Sequence, residues 1–183
     1  MIIVTGCDNT GKSSLVKVLS KELDMPVADK FICSPPQTPG QWMGWAKWCE
    51  RCINDPEDKI YDRLFIDEFV YGPVVRGKLD IPLYMMADLS NQLLIRQPLY
   101  IYTTAPSEVI KRTFHDREQY PKEEMVDKLL NKFWDVNHSW PINQLVHQYT
   151  FDFTKDPDYG GILAYLRSFP EIYKGGNVYG KRS

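Results

Sequence analysis

The sequence predicts an α/β fold in which a parallel β-sheet is covered by helices on both faces. Strand-like apolar segments alternate with amphipathic helical segments along the chain, and no internal repeat interrupts this order. The first apolar segment, residues 2–5, leads directly into a glycine-containing loop and a helix. The clearest strand signal, residues 98–104, is followed at once by another helix. At 183 residues, the chain is expected to form one domain with a substantial core.

Each element has its own local signal. Residues 2–5 (IIVT) are apolar and β-branched, as in a strand buried on both faces. In residues 12–23, leucines and valines recur at helical spacing with lysines on the other side, which predicts an amphipathic helix. Residues 27–33 are a candidate second strand, and the strand within 59–71 has ambiguous boundaries. The remaining predicted elements are helices at 41–54, 82–96, 108–117, 122–137 and 159–169 and a strand at 149–154.

The predicted domain covers residues 1–173, with two stretches that depart from the regular alternation. Residues 34–58 and 112–125 are expected to be insertions or covers above the sheet, the second of them a short lid. The tail, residues 174–183, contains several glycines and lysines and is expected to be flexible.

Composition restricts the class of partner. The formal net charge is −2, whereas proteins that grip a nucleic-acid backbone usually carry a basic excess, so polymeric DNA is disfavoured. No apolar run approaches the roughly 18–20 residues that span a bilayer, and the start MIIVTG lacks the features of a signal peptide. Cys49 and Cys52 form a single C-x-x-C, for which two reduced thiols are favoured over a zinc or redox site. We therefore expect a cytoplasmic protein without a membrane partner.

Residues 6–13 (GCDNTGKS) match the pattern G-x-x-x-x-G-K-[ST] without a gap. Glycines let the backbone turn so that successive N–H groups point at phosphate oxygens, and the following helix adds its positive end. Lys12 is predicted to bridge the β- and γ-phosphates and the Ser13 hydroxyl to ligate Mg²⁺. The motif predicts a P-loop NTPase fold with ATP and Mg²⁺ as cofactors. The predicted ATP-binding residues are Asn9, Thr10, Gly11, Lys12, Ser13 and Ser14.

The motif alone indicates nucleotide binding rather than a particular reaction. A GTPase reads guanine through N-K-x-D, and the nearest candidate, at residues 131–135, has the wrong spacing. A chain of 183 residues leaves little room for the core of a motor ATPase. A small kinase fits the sequence better than either class.

Residues 62–72 (DRLFIDEFVYG), together with Asp8 inside the loop, resemble thymidylate kinases and the related deoxynucleoside kinases. Asp8 gives the form G-x-D-x-x-G-K-S that is seen in thymidylate kinases, and the downstream segment begins with an Asp-Arg pair like theirs. The resemblance extends more loosely through 98–117 and 149–154, although only the two motifs are specific. It implies transfer of a γ-phosphoryl group from ATP to a deoxynucleotide.

The resemblance implies roles for three charged residues. Asp8 would accept a hydrogen bond from the acceptor's sugar 3′-hydroxyl, or it is a turn residue bonded to its own loop. Arg63 would hold the acceptor's α-phosphate through two oxygens. Asp62 would take a proton from an acceptor hydroxyl or order Mg²⁺ waters. The structural alternatives are an Asp-Arg pair that caps a strand end, and a register in which residues 64–66 form the strand and Asp67 and Glu68 are the carboxylates at its C-terminal end.

Tyr71 and Arg76 would line the acceptor pocket, where a ring stacks on a base and a guanidinium donates to a carbonyl or a phosphate. A buried core tyrosine and a solvated arginine are the structural alternatives. Trp42, Trp45 and Trp48 recur every three residues. Core packing explains this stripe, and the sharper alternative places Trp42 at the base site.

Arg112 and Arg117 occupy the place of the lid in the resembling family, which implies that they close over the γ-phosphate. The loop itself contains no arginine, so the lid would have to supply one. On an unbroken helix the two side chains would be about 140° apart, so both reach the site only if the helix bends or ends between them. Alternatively, Arg112 forms a surface pair with Glu108.

The expected activity is ATP- and Mg²⁺-dependent phosphorylation of a deoxynucleoside monophosphate, either dTMP or a related or modified pyrimidine nucleotide. Three alternatives stay open: a deoxynucleoside kinase, a kinase acting on a hydroxylated base or end in DNA, and a non-catalytic nucleotide-binding regulator. The expected partner is a small-molecule deoxynucleotide acceptor, and the resemblance suggests a homodimer.

Overall fold

A computed structural model of the chain describes residues 1–31, 38–113 and 122–169. Within these residues, four strands form one sheet in which every neighbouring pair is parallel, in the order β2-β1-β3-β4. The strands are β1 (Ile2–Gly6), β2 (Ile60–Asp62), β3 (Leu99–Thr104) and β4 (Gln148–Asp152).

Seven α-helices connect and cover the strands in the described ranges. They are α1 (Lys12–Leu23), α2 (Pro39–Ile53), α3 (Glu68–Tyr71), α4 (Leu83–Arg96), α5 (Ser107–Arg112), α6 (Val126–Asn137) and α7 (Gly160–Arg167). A 3₁₀ turn, Phe65–Asp67, precedes α3, and a π turn, Gly72–Arg76, follows it.

The helices lie on both faces of the sheet because successive strand side chains point to opposite sides. Along β1, Ile2 and Val4 pack in a core shared with α1 and α7. Ile3, between them, belongs to a second core shared with α2, α4 and α6. All three are fully buried, which confirms the prediction of a strand covered on both faces.

The predicted helix at 12–23 is confirmed residue for residue, but two strand predictions need correction. In the described part of the candidate strand at 27–33, residues 27–31, the pairing is reduced to a single bridge, where Val27 pairs with Ile60 at the sheet edge. The register that made residues 64–66 a strand is wrong, since β2 ends at Asp62 and a 3₁₀ turn begins at Phe65. Residues 64–66 are fully buried, so their apolar run reflects burial and not extended backbone.

The helix predicted at 108–117 begins at Ser107 and ends at Arg112. Thr113 caps it, with its hydroxyl donating to the carbonyl of Ile110 at 2.6 Å. Most of the predicted lid, including Arg117, and the predicted tail lie outside the described residues, so both stay predictions.

Two further findings concern the described residues only. None of their helices is long and apolar enough to cross a membrane. Cys7, Cys49 and Cys52 are free thiols. Burial raises the pKa of Cys52 to about 12, so its thiol is protonated near neutral pH.

Candidate active site

The site begins where β1 turns into α1. The turn uses three left-handed or related positions: Gly6 (φ 140°), Asn9 (φ 62°) and Gly11 (φ 78°). A Cβ on Gly6 would lie 2.2 Å from the carbonyl oxygen of Thr103, so only glycine lets the loop pass this close to β3. The loop ends at the first turn of α1. Backbone N–H groups in the first turn of a helix have no partner within the helix, and they favour an anion.

Buried hydroxyls fix the loop to the sheet. Thr10 donates to the carbonyl of Cys7 at 2.7 Å and lies 2.6 Å from the hydroxyl of Thr103. Thr103 in turn donates to the carbonyl of Thr5 at 2.9 Å. The side chain of Thr10, predicted to bind ATP, is fully buried and serves to hold the loop. The predicted role of Thr10 at the phosphates therefore falls to its backbone N–H and not to its side chain.

Lys12 is buried, with 7% of its surface exposed, and its ammonium group donates to the carbonyl of Cys7. Burial and, to a smaller extent, the nearby charge of Arg63 lower the pKa of Lys12 to about 8, against the opposing effect of Asp8. A partly desolvated ammonium bonded to a neutral carbonyl is suited to exchange that partner for a phosphate oxygen.

Two pockets open at this edge of the sheet. The loop pocket has a volume of about 310 Å³ and is lined by Asp8, Asn9, Gly11, Lys12, Ser13, Ser14, Lys30, Asp62 and Arg63. The aromatic pocket has a volume of about 260 Å³ and is lined by Asp8, Lys30, Phe31, Trp42, Trp45, Trp48, Asp62, Arg63, Leu64, Asp67, Glu68, Tyr71 and Arg76.

The two pockets share four residues, which we call the junction: Asp8, Lys30, Asp62 and Arg63. Asp8 comes from the loop after β1, and Asp62 and Arg63 come from the end of β2. Parallel strands bring their carboxyl ends to one edge, so the topology places these side chains together.

Arg63 and Tyr71 hold Asp8 within the junction. The guanidinium Nη2 of Arg63 donates to Asp8 at 2.5 Å, and the Tyr71 hydroxyl donates to the other carboxylate oxygen at 2.9 Å. Asp8 is therefore bonded across the junction and not to its own loop backbone alone. Arg63 has φ 76°, a left-handed conformation that residues other than glycine rarely adopt.

Asp62 has one bonded and one unbonded carboxylate oxygen. Its Oδ2 lies 3.1 Å from the ammonium of Lys30, while its Oδ1 is buried and meets no hydrogen-bond partner among the described residues. A buried orphan acceptor suits a hydroxyl proton or a cation-bound water. Together with the Ser13 hydroxyl at the loop pocket, this oxygen fits the predicted Mg²⁺, which prefers oxygen ligands and completes its shell with phosphates and water.

An ion cluster of Arg76, Glu68 and Asp80 adjoins the aromatic pocket, with Glu68 buried and the other two half-buried. Arg76 donates to Glu68, and its Nε donates to Asp80 at 2.5 Å. Its guanidinium carbon lies 4.6 Å from the ring centroid of Trp42. Arg76 is thus not a solvated surface residue, and Trp42, 7% exposed, both packs in the core and lines the pocket.

Sequence reasoning missed some lining residues, and two of its described site residues, Thr10 and Arg112, are not among the residues that line the pockets. Arg112 is exposed at the end of α5 and is not among the described residues that line either pocket. The missed residues are Lys30 and Phe31. Asp67 and Glu68 were considered only through the strand register that is wrong, although the i,i+4 spacing of Asp67 to Arg63 was an available signal for a contact.

No protein-family model matches the sequence, and no curated protein matches it. Among solved structures, the YorR protein from Bacillus subtilis in complex with phosphorylated GDP has a TM-score of 0.64 at 20% identity, covering 93% of this chain and 96% of that chain. Deoxyadenosine kinase from M. mycoides with bound dATP has a TM-score of 0.63 at 12% identity, covering 91% and 98%. The chain has the P-loop NTPase fold. At these identities the likeness concerns the fold, so the chemistry rests on the side chains at the junction.

Proposed function

We propose that this protein is an ATP- and Mg²⁺-dependent kinase that phosphorylates a deoxynucleoside monophosphate in the manner of thymidylate kinases. The observation that carries the proposal is the junction, where a phosphate-type loop pocket and an aromatic pocket share two carboxylates and two cations. A phosphoryl group passing between two bound substrates requires this arrangement of adjoining pockets.

In this proposal, ATP lies with its phosphates at the loop and Lys12, and the acceptor base lies between the aromatic side chains. Stacking surfaces come from the tryptophans of α2 and from Phe31. The acceptor's reacting oxygen lies at the junction, next to Arg63. Mg²⁺ bound to the Ser13 hydroxyl and near Asp62 supplies charge neutralisation for the phosphates.

The charges of the aromatic pocket favour a second candidate, a deoxynucleoside kinase. Four carboxylates line the pocket, against three cations. Its two arginines are already paired with carboxylates, so a monophosphate has to displace such a partner, whereas a neutral nucleoside does not. In that reaction the unbonded Oδ1 of Asp62 would accept the proton of the 5′-hydroxyl.

The decisive experiment measures ADP release from ATP·Mg²⁺ against a panel of deoxynucleosides, their monophosphates and short duplex DNA. Turnover with a monophosphate supports the first proposal, and turnover with nucleosides alone supports the second. Neither survives if only DNA is phosphorylated, or if ATP binds and no acceptor reacts.

Lys12→Ala tests the loop pocket in the same assay. Removing the buried cation should lower kcat by at least about 10²-fold with any accepted substrate, because it leaves the transferring phosphoryl charge unpaired. Ser90→Ala is the matched control, since it removes a buried hydroxyl bonded to Met86 on α4, away from both pockets. Wild-type turnover in the Lys12 variant would contradict the assignment.

A further inference from the structure

The guanidinium of Arg63 is held on both edges and on one face. Its Nη2 bonds Asp8 at 2.5 Å, its Nη1 bonds Asp67 at 3.1 Å, and its Cζ lies 4.7 Å from the ring centroid of Tyr71. A fixed arginine side chain has already lost much of its conformational entropy. Because these contacts order Arg63 before substrate arrives, substrate binding loses less entropy at this side chain.

The two carboxylates that hold Arg63 have different surroundings. The side chain of Asp8 is 33% exposed and lies at the junction, where a substrate oxygen can reach it. The side chain of Asp67 is 9% exposed. An acceptor can therefore take the place of Asp8 on Arg63, whereas it has little access to Asp67.

Asp67 is itself anchored to the two strands that build the junction. The Thr5 hydroxyl, on β1, donates to Oδ1 at 2.7 Å, and the backbone N–H of Leu64, just after β2, approaches Oδ2 at 3.4 Å. Burial raises the pKa of Asp67, and the charge of Arg63 opposes this effect. The buried carboxylate and the guanidinium therefore stabilise each other in their charged forms.

We propose that Asp67 is a positioning residue for phosphoryl transfer: it retains Nη1 of Arg63 while Nη2 exchanges Asp8 for an oxygen of the acceptor. Asp8 is then free to accept a hydrogen bond from the acceptor's sugar. This inference rests on the proposed function and deepens it, since it makes Asp8 the exchangeable partner and Asp67 the permanent one.

The first test is Asp67→Asn, which keeps the size of the side chain and an oxygen for Thr5 but removes the charge that holds Arg63. The Michaelis constant for the accepted monophosphate should rise about tenfold or more, the loss expected for one charged hydrogen bond. The Michaelis constant for ATP should stay within about twofold. Ser90→Ala controls for stability alone, and an unchanged acceptor constant in Asp67→Asn overturns the proposal.

A double-mutant cycle with Arg63→Gln separates positioning from general structure. If Asp67 acts through Arg63, the double variant binds the acceptor no worse than Arg63→Gln alone. If the double variant instead raises the acceptor constant by the product of the two single factors, Asp67 does not act through Arg63 and the proposal fails. Thr5→Val is a second variant that leaves both charges in place, and it should move the acceptor constant in the same direction by a smaller factor.

NMR spectroscopy tests the positioning role of Asp67 without any enzymatic reaction, so this inference can be tested separately from the proposed function. In NMR spectra of protein with isotope-labelled arginine, Arg63→Gln identifies the Arg63 signals. Wild-type Arg63 should give separate Nη1 and Nη2 signals because its guanidinium cannot rotate freely. With Asp8→Ala, which removes the exchangeable partner, the signals should stay separate, and adding Asp67→Asn should merge them. Merged Nη1 and Nη2 signals in the wild type overturn the positioning role. If the signals are separate but no acceptor reacts in the screen, only the proposed function is overturned.

Discussion

At the scale of single residues, the chemistry depends on which partner each buried cation has. Lys12 donates to a backbone carbonyl, which carries no net charge. Arg63 and Arg76 each pair with two carboxylates. A guanidinium keeps its charge in such surroundings, whereas a buried ammonium without a carboxylate bond loses its proton more readily. Lys12 is therefore the pH-sensitive cation of the site.

The lowered pKa of Lys12, about 8, predicts how ATP binding responds to pH. As the pH rises through this value, the free protein loses the positive charge that meets the phosphates, so ATP affinity should fall. Fluorescence titration between about pH 7 and pH 10 measures the dissociation constant across this window. Lys12→Gln should bind weakly at every pH, and a flat wild-type profile would contradict the prediction.

At the scale of elements, the connection from β1 to α1 is fixed by its contacts with the neighbouring strand β3. Gly6, at the end of β1, pairs with Thr103 of β3, and the Thr103 hydroxyl contacts both the Thr10 hydroxyl and the backbone of Thr5. These contacts, and the positive φ of Gly6, fix where the N-terminus of α1 points. The orientation of the loop pocket thus depends on glycine and hydroxyl contacts behind it.

Gly6→Ala should destabilise the fold by about 3 kcal/mol, because a Cβ would meet the Thr103 carbonyl oxygen at 2.2 Å in addition to the backbone strain. Gly77→Ala is the matched control: it also has a positive φ, 72°, but a Cβ there meets nothing within 4 Å. It should cost only about 1 kcal/mol. Urea denaturation of both variants gives the comparison, and equal losses would mean that the close approach to β3 is unimportant.

At the scale of the whole molecule, the site is built where two core layers meet the carboxyl edge of the sheet. Trp42 on α2 and Phe65 before α3 belong to the core on one face, and α1 packs on the other. The junction lies between elements from both sides. A ligand that bridges the two pockets therefore contacts parts of the chain that are far apart in sequence, and its binding should stabilise the entire fold.

ATP·Mg²⁺ should raise the unfolding free energy by about 2.7 kcal/mol at a concentration 100 times its dissociation constant. For a chain of this size, that corresponds to about 5–10 °C in melting temperature. Differential scanning fluorimetry measures the shift. The control Ser90→Ala should have a lower melting temperature but the same rise on addition of ATP·Mg²⁺. Lys12→Ala should lose most of that rise. If Lys12→Ala shows the wild-type rise, the nucleotide binds elsewhere.

The sequence by itself determined the elements with long periodic patterns and the motif with fixed spacing. The helix at 12–23, the loop before it and the parallel alternation follow from local rules, because a pattern of 3.6 residues and a glycine-bounded loop are readable along the chain. Where the apolar run was short, as at residues 64–66, the pattern left the strand register open, and the structure shows a buried segment that enters a 3₁₀ turn.

Only the tertiary structure decided which side chains meet. Nothing along the chain indicates that Lys30 pairs with Asp62, or that Asp67 bonds Nη1 of Arg63 while Asp8 bonds Nη2. The reason is physical: parallel strands bring residues from distant segments to one sheet edge, and contacts there depend on packing distances that no sequence period encodes. The sequence thus determined that a glycine-bounded loop joins the first strand to the first helix, and the fold decided that its pocket adjoins an aromatic pocket through a junction of paired charges.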